Sequence, residues 1–296
     1  MNAKYEIIVE LPGVRLDKYV GDWLSDISRT RARQLIDGGF VTVNGSPARA
    51  SLKLETGDRV DVIIPPEEPP ALPAEDIPLH IVYEDDDILV VDKPAGLAVH
   101  PAPGHPDHTL VNAVLHHLPD LAAEDAASLR PGIVHRLDMD TSGIIVVAKN
   151  RAAQAYLSAQ FAERTVSKIY LVLVRGRLTP EKGIIDAAIG RDSANRQRMA
   201  ISAKGREART DYQVVRYVGD YTLAEIKPET GRTHQIRVHL AAIGFPVAGD
   251  ATYGVKVPFL ERQFLHAHRI RFRLPSTGEE AEFESPLPED LTTALE

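Results

Sequence analysis

Residues 63–78 read IIPPEEPPALPAEDIP, and this stretch limits the possible folds more than any other. Proline fixes φ and lacks a backbone donor, so it is excluded from helix interiors and central strands. With its prolines and acids and no hydrophobic period, the stretch is expected to run extended and semi-rigid as a linker. The 296-residue chain is therefore expected to divide into a small domain, 1–64, a linker, 65–78, and a large domain, 79–296.

Charge is divided in a similar way. The net charge is −8, yet residues 55–87 alone carry −10 and residues 279–296 carry −7, which leaves +9 on the rest. Two acidic segments thus mask a basic body on which a phosphate-binding surface is permitted. There is no cysteine, so disulfides, thiolate chemistry and cysteine zinc sites are excluded. No apolar run approaches the ~18–20 residues of a membrane span, and the start, MNAKYEIIVELPG, lacks the layout of a secretion signal. A cytoplasmic protein with no membrane partner is expected.

In the small domain, VRLDKYVGDWL places Leu16, Tyr19, Val20, Trp23 and Leu24 at helical spacing. Ser28 stands as a cap for RTRARQLIDGG, a second helix opened by Arg29, Arg31 and Arg33. FVTVNGSPA reads as a strand with a turn at Asn44-Gly45, and LKLETGDRVDVIIP as a further turn and strand. Two helices and a small hairpin with this arginine cluster resemble the S4 RNA-binding domain over residues 14–64. The resemblance implies that Arg29, Arg31 and Arg33 bind RNA.

The large domain reads as many strands with a few helices. DILVVDKPAGLAVHP suggests strand, turn and short strand, and GIVHRLDMDTSGIIVVAKN suggests strand, loop and strand. HTLVNAVLHHL, RAAQAYLSAQFAER (apolar at Ala155, Leu157 and Phe161) and GRTHQIRVHLAAIG read as helices. VSKIYLVLVRG, GIIDAAIG, RQRMAIS, EARTDYQVVRYV and YTLAEIKP are successive strands. The expected class is α+β: a large mixed, mainly antiparallel sheet with flanking helices, plus a small N-terminal α+β domain.

The densest chemistry lies in GIVHRLDMDTSG, where His135, Arg136, Asp138 and Asp140 stand between apolar flanks. His234 and His239 are five apart and do not share a helix face as a zinc pair would, and His116 and His117 diverge. There is no glycine-rich phosphate loop and no Gly-x-Ser-x-Gly elbow. A partly desolvated aspartate needs a cation to stay ionised. Arg136, Arg232 and Arg237 are the candidates.

Four segments in order resemble the RluA-type pseudouridine synthases, enzymes that isomerise uridine in structured RNA. These are DKPAGLAVHP, HRLDMDTSG, SKIYLVLVRG, and PETGRTHQIRVHLAAIGFPVAGDATYG followed by FLHAHRIRF. They run from about Leu79 to about Pro288, and the layout is most similar to the branch acting on large-subunit ribosomal RNA. The resemblance implies that Asp138 is the catalytic aspartate and that Arg237 pairs with it. It further implies that Tyr170 packs on the target base and helps move a proton, that Arg136 enters the RNA stack, and that Leu265 closes the pocket. Asp140 receives no role. The acidity of residues 55–87 and of the tail, and the short span from Tyr253 to Phe264, depart from the pattern.

The implied reaction breaks the N1–C1′ bond of uridine, turns the base and joins C5 to C1′, with no cofactor and no metal. The carboxylate acts as nucleophile at C1′ or as base at C2′, and the sequence leaves both open. The expected substrate is a set of uridines in 23S ribosomal RNA, and a monomer is expected. Two other readings compete: a non-catalytic S4-type RNA-binding protein, and a metal-dependent hydrolase built on His135, Asp138 and Asp140.

Overall fold

The structure is a computed structural model that describes residues 3–24, 27–65, 72–102, 105–124, 130–195, 198–254 and 256–296. The chain divides into two compact units, Met1–Pro69 and Pro70–Glu296. Residues 66–71 of the expected linker lie outside the described set. Residues 72–78 belong to the large unit. Leu72 packs on its core, and Asn112 Nδ2 donates to the Pro73 carbonyl at 2.8 Å. Leu72 has an apolar surface to cover, which draws this stretch onto the large unit despite its prolines and acids.

In the small unit a four-stranded antiparallel sheet runs in the order Ala3–Ile8, Arg59–Ile64, Val41–Val43, Ser46–Pro47. Helices Leu16–Trp23 and Arg29–Asp37 cover it. Ser28 caps the second helix by accepting from Arg31 N at 3.2 Å. Leu16, Val20, Leu35 and Val60 are fully or almost fully buried, and burying each such side chain contributes about 1.5–3 kcal/mol. Trp23 departs from the expected apolar stripe. It is 48% exposed and meets Tyr5 edge-on, because the Ala3–Ile8 strand, which the sequence reading did not include, supplies that ring at the sheet edge. Asp17 is buried. A hydrogen bond from Arg15, joined by Arg29, outweighs its desolvation and holds its pKa at about 2.

The large unit is built on a nine-stranded sheet. Its spatial order is His80–Glu84, Ile88–Lys93, Ser142–Ala148, Leu265–Arg273, Ser167–Arg175, Tyr221–Pro228, Arg209–Val218, Lys182–Asp186. Every pairing is antiparallel except that of Ser142–Ala148 with Leu265–Arg273, which are parallel and touch only through Ser142–His266 and Gly143–Ala267. Beyond those pairs the same edge of Leu265–Arg273 is taken by Glu280–Glu284, so the sheet forks. Ser142–Ala148 is buried on both faces, by helix Leu110–His117 on one and helix Arg151–Ala162 on the other. This burial explains its unbroken apolar run.

The fork explains where the structure departs from expectation. Gly132-Ile133-Val134 is not a strand and makes a single bridge, Ile133 to Val147. The rest of that edge is closed by a side chain, as Val146 N donates to His135 Nε2 at 2.9 Å. Likewise, after Ile88–Lys93 the second short strand reduces to one bridge, Ala98 to Thr109. In helix Arg151–Ala162 the buried face runs through Ala153, Leu157 and Gln160, and Ala155 is exposed. Helix Gln235–Ala242 starts later than expected, with residues 229–234 a loop. GIIDAAIG breaks in two, and Ile189–Arg191 turns away to pair with Met199–Ile201 in a separate hairpin.

Candidate active site

The parallel pair places the starts of Ser142–Ala148 and Leu265–Arg273 at the same end of the sheet. The loop carrying Asp138 therefore stands beside Leu265. Tyr170 lies opposite Ala267 on the next strand, and Ile226 lies opposite Tyr170 on the one after. A cavity of about 430 Å³ opens there, lined among others by Arg136, Asp138, Tyr170, His234, Arg237 and Leu265.

Two glycines let the Asp138 loop approach the sheet. A Cβ on Gly132 (φ 69°) would strike the Ala148 carbonyl, and one on Gly143 (φ 111°) would strike the Ala267 backbone. Between them three successive carbonyls are held, one from within the loop and two from other segments. Thr141 N donates to the Asp138 carbonyl at 3.1 Å. Gly96 N and Lys93 Nζ donate to that of Met139 at 3.0 and 2.9 Å. Arg262 Nη1 donates to that of Asp140 at 3.0 Å. Lys93 is wholly buried, and its ammonium also donates to the Pro94 and Leu97 carbonyls. Burial pulls its pKa down to about 7, against the charges of Asp140 and Asp138.

Arg237 meets Asp138 through Nη1 and Oδ2 at 2.9 Å. Its other edge forks onto Asp250, Nε to Oδ2 at 2.7 Å and Nη2 to Oδ1 at 2.9 Å. Asp250 is fully buried and also accepts from Thr252 N and Tyr253 N. Asp138 is 17% exposed and faces the cavity. Burial alone would lower the Arg237 pKa; the hydrogen bonds it donates to Asp250 and the charge of Asp138 outweigh it and hold it up. The other two arginines do not reach Asp138. Arg136 is exposed at the rim, and Arg232 Nε donates to the Glu207 carbonyl at 2.9 Å.

The helix that carries Arg237 is anchored by Gln235. Its Oε1 accepts from Thr230 Oγ1 and Arg232 N, and its Nε2 donates to the Arg209 carbonyl and Thr210 Oγ1. All four bonding positions of the amide are used, so the helix start is held to the Arg209–Val218 strand. Tyr170 packs between two core clusters. Burial, and then the charge of Asp138, raises its pKa far above the ordinary value, so it is a neutral phenol.

His135 is not a cation beside Asp138. Burial drives its pKa down to about 3, and its Nε2 is taken by Val146 N. Its ring stacks on Phe161. The proposed His135/Asp138/Asp140 metal set therefore does not assemble, and among the described residues no group of three or more His, Asp or Glu side chains could hold a metal ion. Arg29, Arg31 and Arg33 lie in the small unit on the first turns of helix Arg29–Asp37. Arg29 is bound to Asp17 and Arg33 to Asp37.

A sequence model of the RNA pseudouridylate synthase family matches residues 87–242, more than half of the chain, and a model of the S4 domain matches 14–60. The chain belongs to the RNA pseudouridylate synthase family. The synthase is 46% identical over 95% of its length to YlyB of Bacillus subtilis, described as an uncharacterized RNA pseudouridine synthase, of which 93% is covered. It is 44% identical over 98% of its length to ribosomal large subunit pseudouridine synthase D of Pseudomonas aeruginosa, of which 93% is covered. Among solved structures it is similar to human RNA pseudouridylate synthase domain containing 1. The TM-score is 0.58 and the identity 35%, over 73% of this chain and 86% of that one. The synthase is thus an isomerase with an S4 RNA-binding domain. No helix among its described residues is long and apolar enough to cross a membrane.

Asp250, His234, Tyr253, Lys93 and Arg262 carry no role legible in the sequence, although all but Arg262 lie inside the four family-like segments. Their roles depend on contacts between distant segments, and nothing at short range distinguishes them. The one local signal was Asp250-Ala-Thr-Tyr, an acid followed by the two backbone amides that it accepts from.

Proposed function

We propose that the synthase isomerises uridines of large-subunit (23S) ribosomal RNA, with Asp138 as the reacting carboxylate. In this reading Arg237 holds Asp138 in place, Tyr170 lies under the target base, Leu265 closes the pocket over it, and Arg136 fills the gap the base leaves. Arg29, Arg31 and Arg33 bind the RNA backbone. One observation carries the reading: residues spread from 136 to 265 converge on one cavity around a single arginine-bound carboxylate.

The reaction asks little else of the protein. The N1–C1′ bond breaks, the base turns, C5 joins C1′, and a proton moves from C5 to N1, so no atom is gained or lost. Asp138 beside C1′ can serve as nucleophile, or as base at C2′. Extruding the base costs a few kcal/mol, offset by Arg136 in the stack and Tyr170 against the ring. The large-subunit assignment is supported by the 44% identity to the Pseudomonas aeruginosa enzyme. Such a substrate places the protein in the cytoplasm.

The test is to map pseudouridines in ribosomal RNA from a deletion strain and to restore them with the purified chain. Loss and restoration of specific 23S sites is the expected result. Ribosomal RNA unchanged in both arms overturns the substrate.

A further inference from the structure

The helix carrying Arg237 has an unusual start. Its N-cap is His234, at φ 55°, and its side chain makes no capping bond. Holding a non-glycine residue in this region costs about 1–3 kcal/mol and persists only where the surroundings impose it. What the strain achieves is to turn the imidazole into the cavity. There Nε2 lies 3.9 Å from Asp138 Oδ2, and Nδ1 lies 2.9 Å from Tyr253 Oη.

The network around Tyr253 favours one tautomer of this ring. Met199 N can only donate, and it donates to Tyr253 Oη at 2.7 Å. The phenol has one proton of its own, and its other hydrogen-bond contact is with His234 Nδ1 at 2.9 Å. With the phenol proton on that bond, Nδ1 is unprotonated and the neutral ring carries its proton on Nε2. The guanidinium groups of Arg198 and Arg237 both lie over the tyrosine ring, at 5.1 and 5.2 Å from its centroid, and help to hold it. At 3.9 Å from Asp138 the Nε2 donor is beyond hydrogen-bond distance, so the carboxylate does not occupy it, and both groups line the cavity.

We propose that His234 Nε2–H donates to a carbonyl oxygen of the target uracil, both before and after the base turns. The proposal rests on the pseudouridine reading above. Isomerisation exchanges N1 and C5 opposite C1′. A turn of the ring about its N3–C6 line also exchanges O2 and O4. A donor fixed at that edge therefore meets a carbonyl oxygen in uridine and again in pseudouridine. Between the two, the C1′–N1 electron pair leaves with the base, whose negative charge spreads over N1, O2 and O4. A preorganised neutral donor is worth most at that stage. His234 thus steadies the free base through the turn, and Tyr253, held by the Met199 hairpin, is the positioning residue that keeps the proton on Nε2.

The experiment uses the full chain and a short uridine-containing RNA, reading single-turnover conversion and RNA affinity separately. His234→Leu should convert about 10²-fold more slowly, as for removal of one oxyanion donor, with affinity within about threefold. His234→Gln, which offers a non-titrating N–H at similar reach, should recover at least about tenfold of that loss. Tyr253→Phe should fall between wild type and His234→Leu. If His234→Leu does not fold, His234→Asn replaces it; asparagine tolerates the left-handed region and is too short to present the donor. Conversion by the donor-less variant within about threefold of wild type, or a loss wholly in RNA affinity, overturns the proposal. A wild-type chain that converts no uridine overturns the pseudouridine reading itself, whereas a converting wild type confines any failure to His234.

Discussion

Arg237 donates to Asp138 across 99 positions of sequence, while the same guanidinium clamps the buried Asp250 with two further bonds. The two carboxylates share one cation but not one environment. Asp138 opens onto the cavity, and Asp250 has no exposed surface. Asp250 therefore fixes the arginine, and the arginine fixes Asp138.

The two aspartates should then respond differently to loss of charge. Asp138→Asn should reduce pseudouridine formation by more than about 10³-fold and leave the urea midpoint near that of wild type. Asp250→Asn should destabilise the fold by about 3–5 kcal/mol, because it leaves one side of a buried pair uncompensated. Nucleoside analysis and urea titration of both variants decide this. Equal stability losses would show that Asp250 does not anchor Arg237.

His135 gives a pH dependence of definite sign. Its folded pKa is about 3, because burial favours the neutral ring that accepts from Val146 N. In the unfolded chain the ordinary value is about 6.5. Between these values the unfolded chain binds a proton that the folded chain does not. Stability is thus full above about pH 6.5 and falls as pH drops towards 3. His100, lowered to about 4 by burial, acts in the same direction. In His135→Gln, an acceptor that does not titrate, the drop between pH 7 and pH 5 should be smaller by about 1 kcal/mol, allowing for partial exposure of the ring. Identical drops in the two proteins would remove His135 as the source.

Lys93 ties the Asp138 loop to the sheet from behind, without reaching the cavity. Lys93→Met strands carbonyls that water reaches poorly, at about 1–3 kcal/mol for each group left unpaired. The variant should unfold at lower urea and convert RNA more slowly at unchanged RNA affinity. Weaker RNA binding with an intact rate would contradict this account.

The three arginines of the small unit should separate in kind. Arg29 is bound to the buried Asp17, so Arg29→Ala should lower stability, read by the fluorescence of Trp23, the single tryptophan of the chain. Arg33→Ala, which removes only an exposed pair with Asp37, should leave stability within about 0.5 kcal/mol, and Arg31→Ala and Arg33→Ala should both weaken RNA binding, each reducing the salt slope by about 1. Binding unchanged in both would make this helix structural only.

Much was legible in the sequence because it depends on residues a few positions apart. The Ser28 cap, the Asn44-Gly45 turn and helix Leu110–His117 each rest on local spacing and on backbone preferences of single residues. So does the unbroken apolar run of Ser142–Ala148, which announces a strand buried on both faces. The tertiary structure decided the rest. Gly132-Ile133-Val134 has the composition of a strand and is not one, because the fork of the sheet leaves a gap that His135 fills with a ring nitrogen. Arg237 rather than Arg136 or Arg232 pairs with Asp138, because Gln235 holds the helix start against a strand 25 residues earlier. His234 finds its partner in Tyr253, 19 positions later. Local preference acts through covalent neighbours and can be read from the sequence in order. Which cation meets which carboxylate depends on how distant segments pack, and a hydrogen bond loses its strength within a fraction of an ångström, so that choice exists only once the chain has folded.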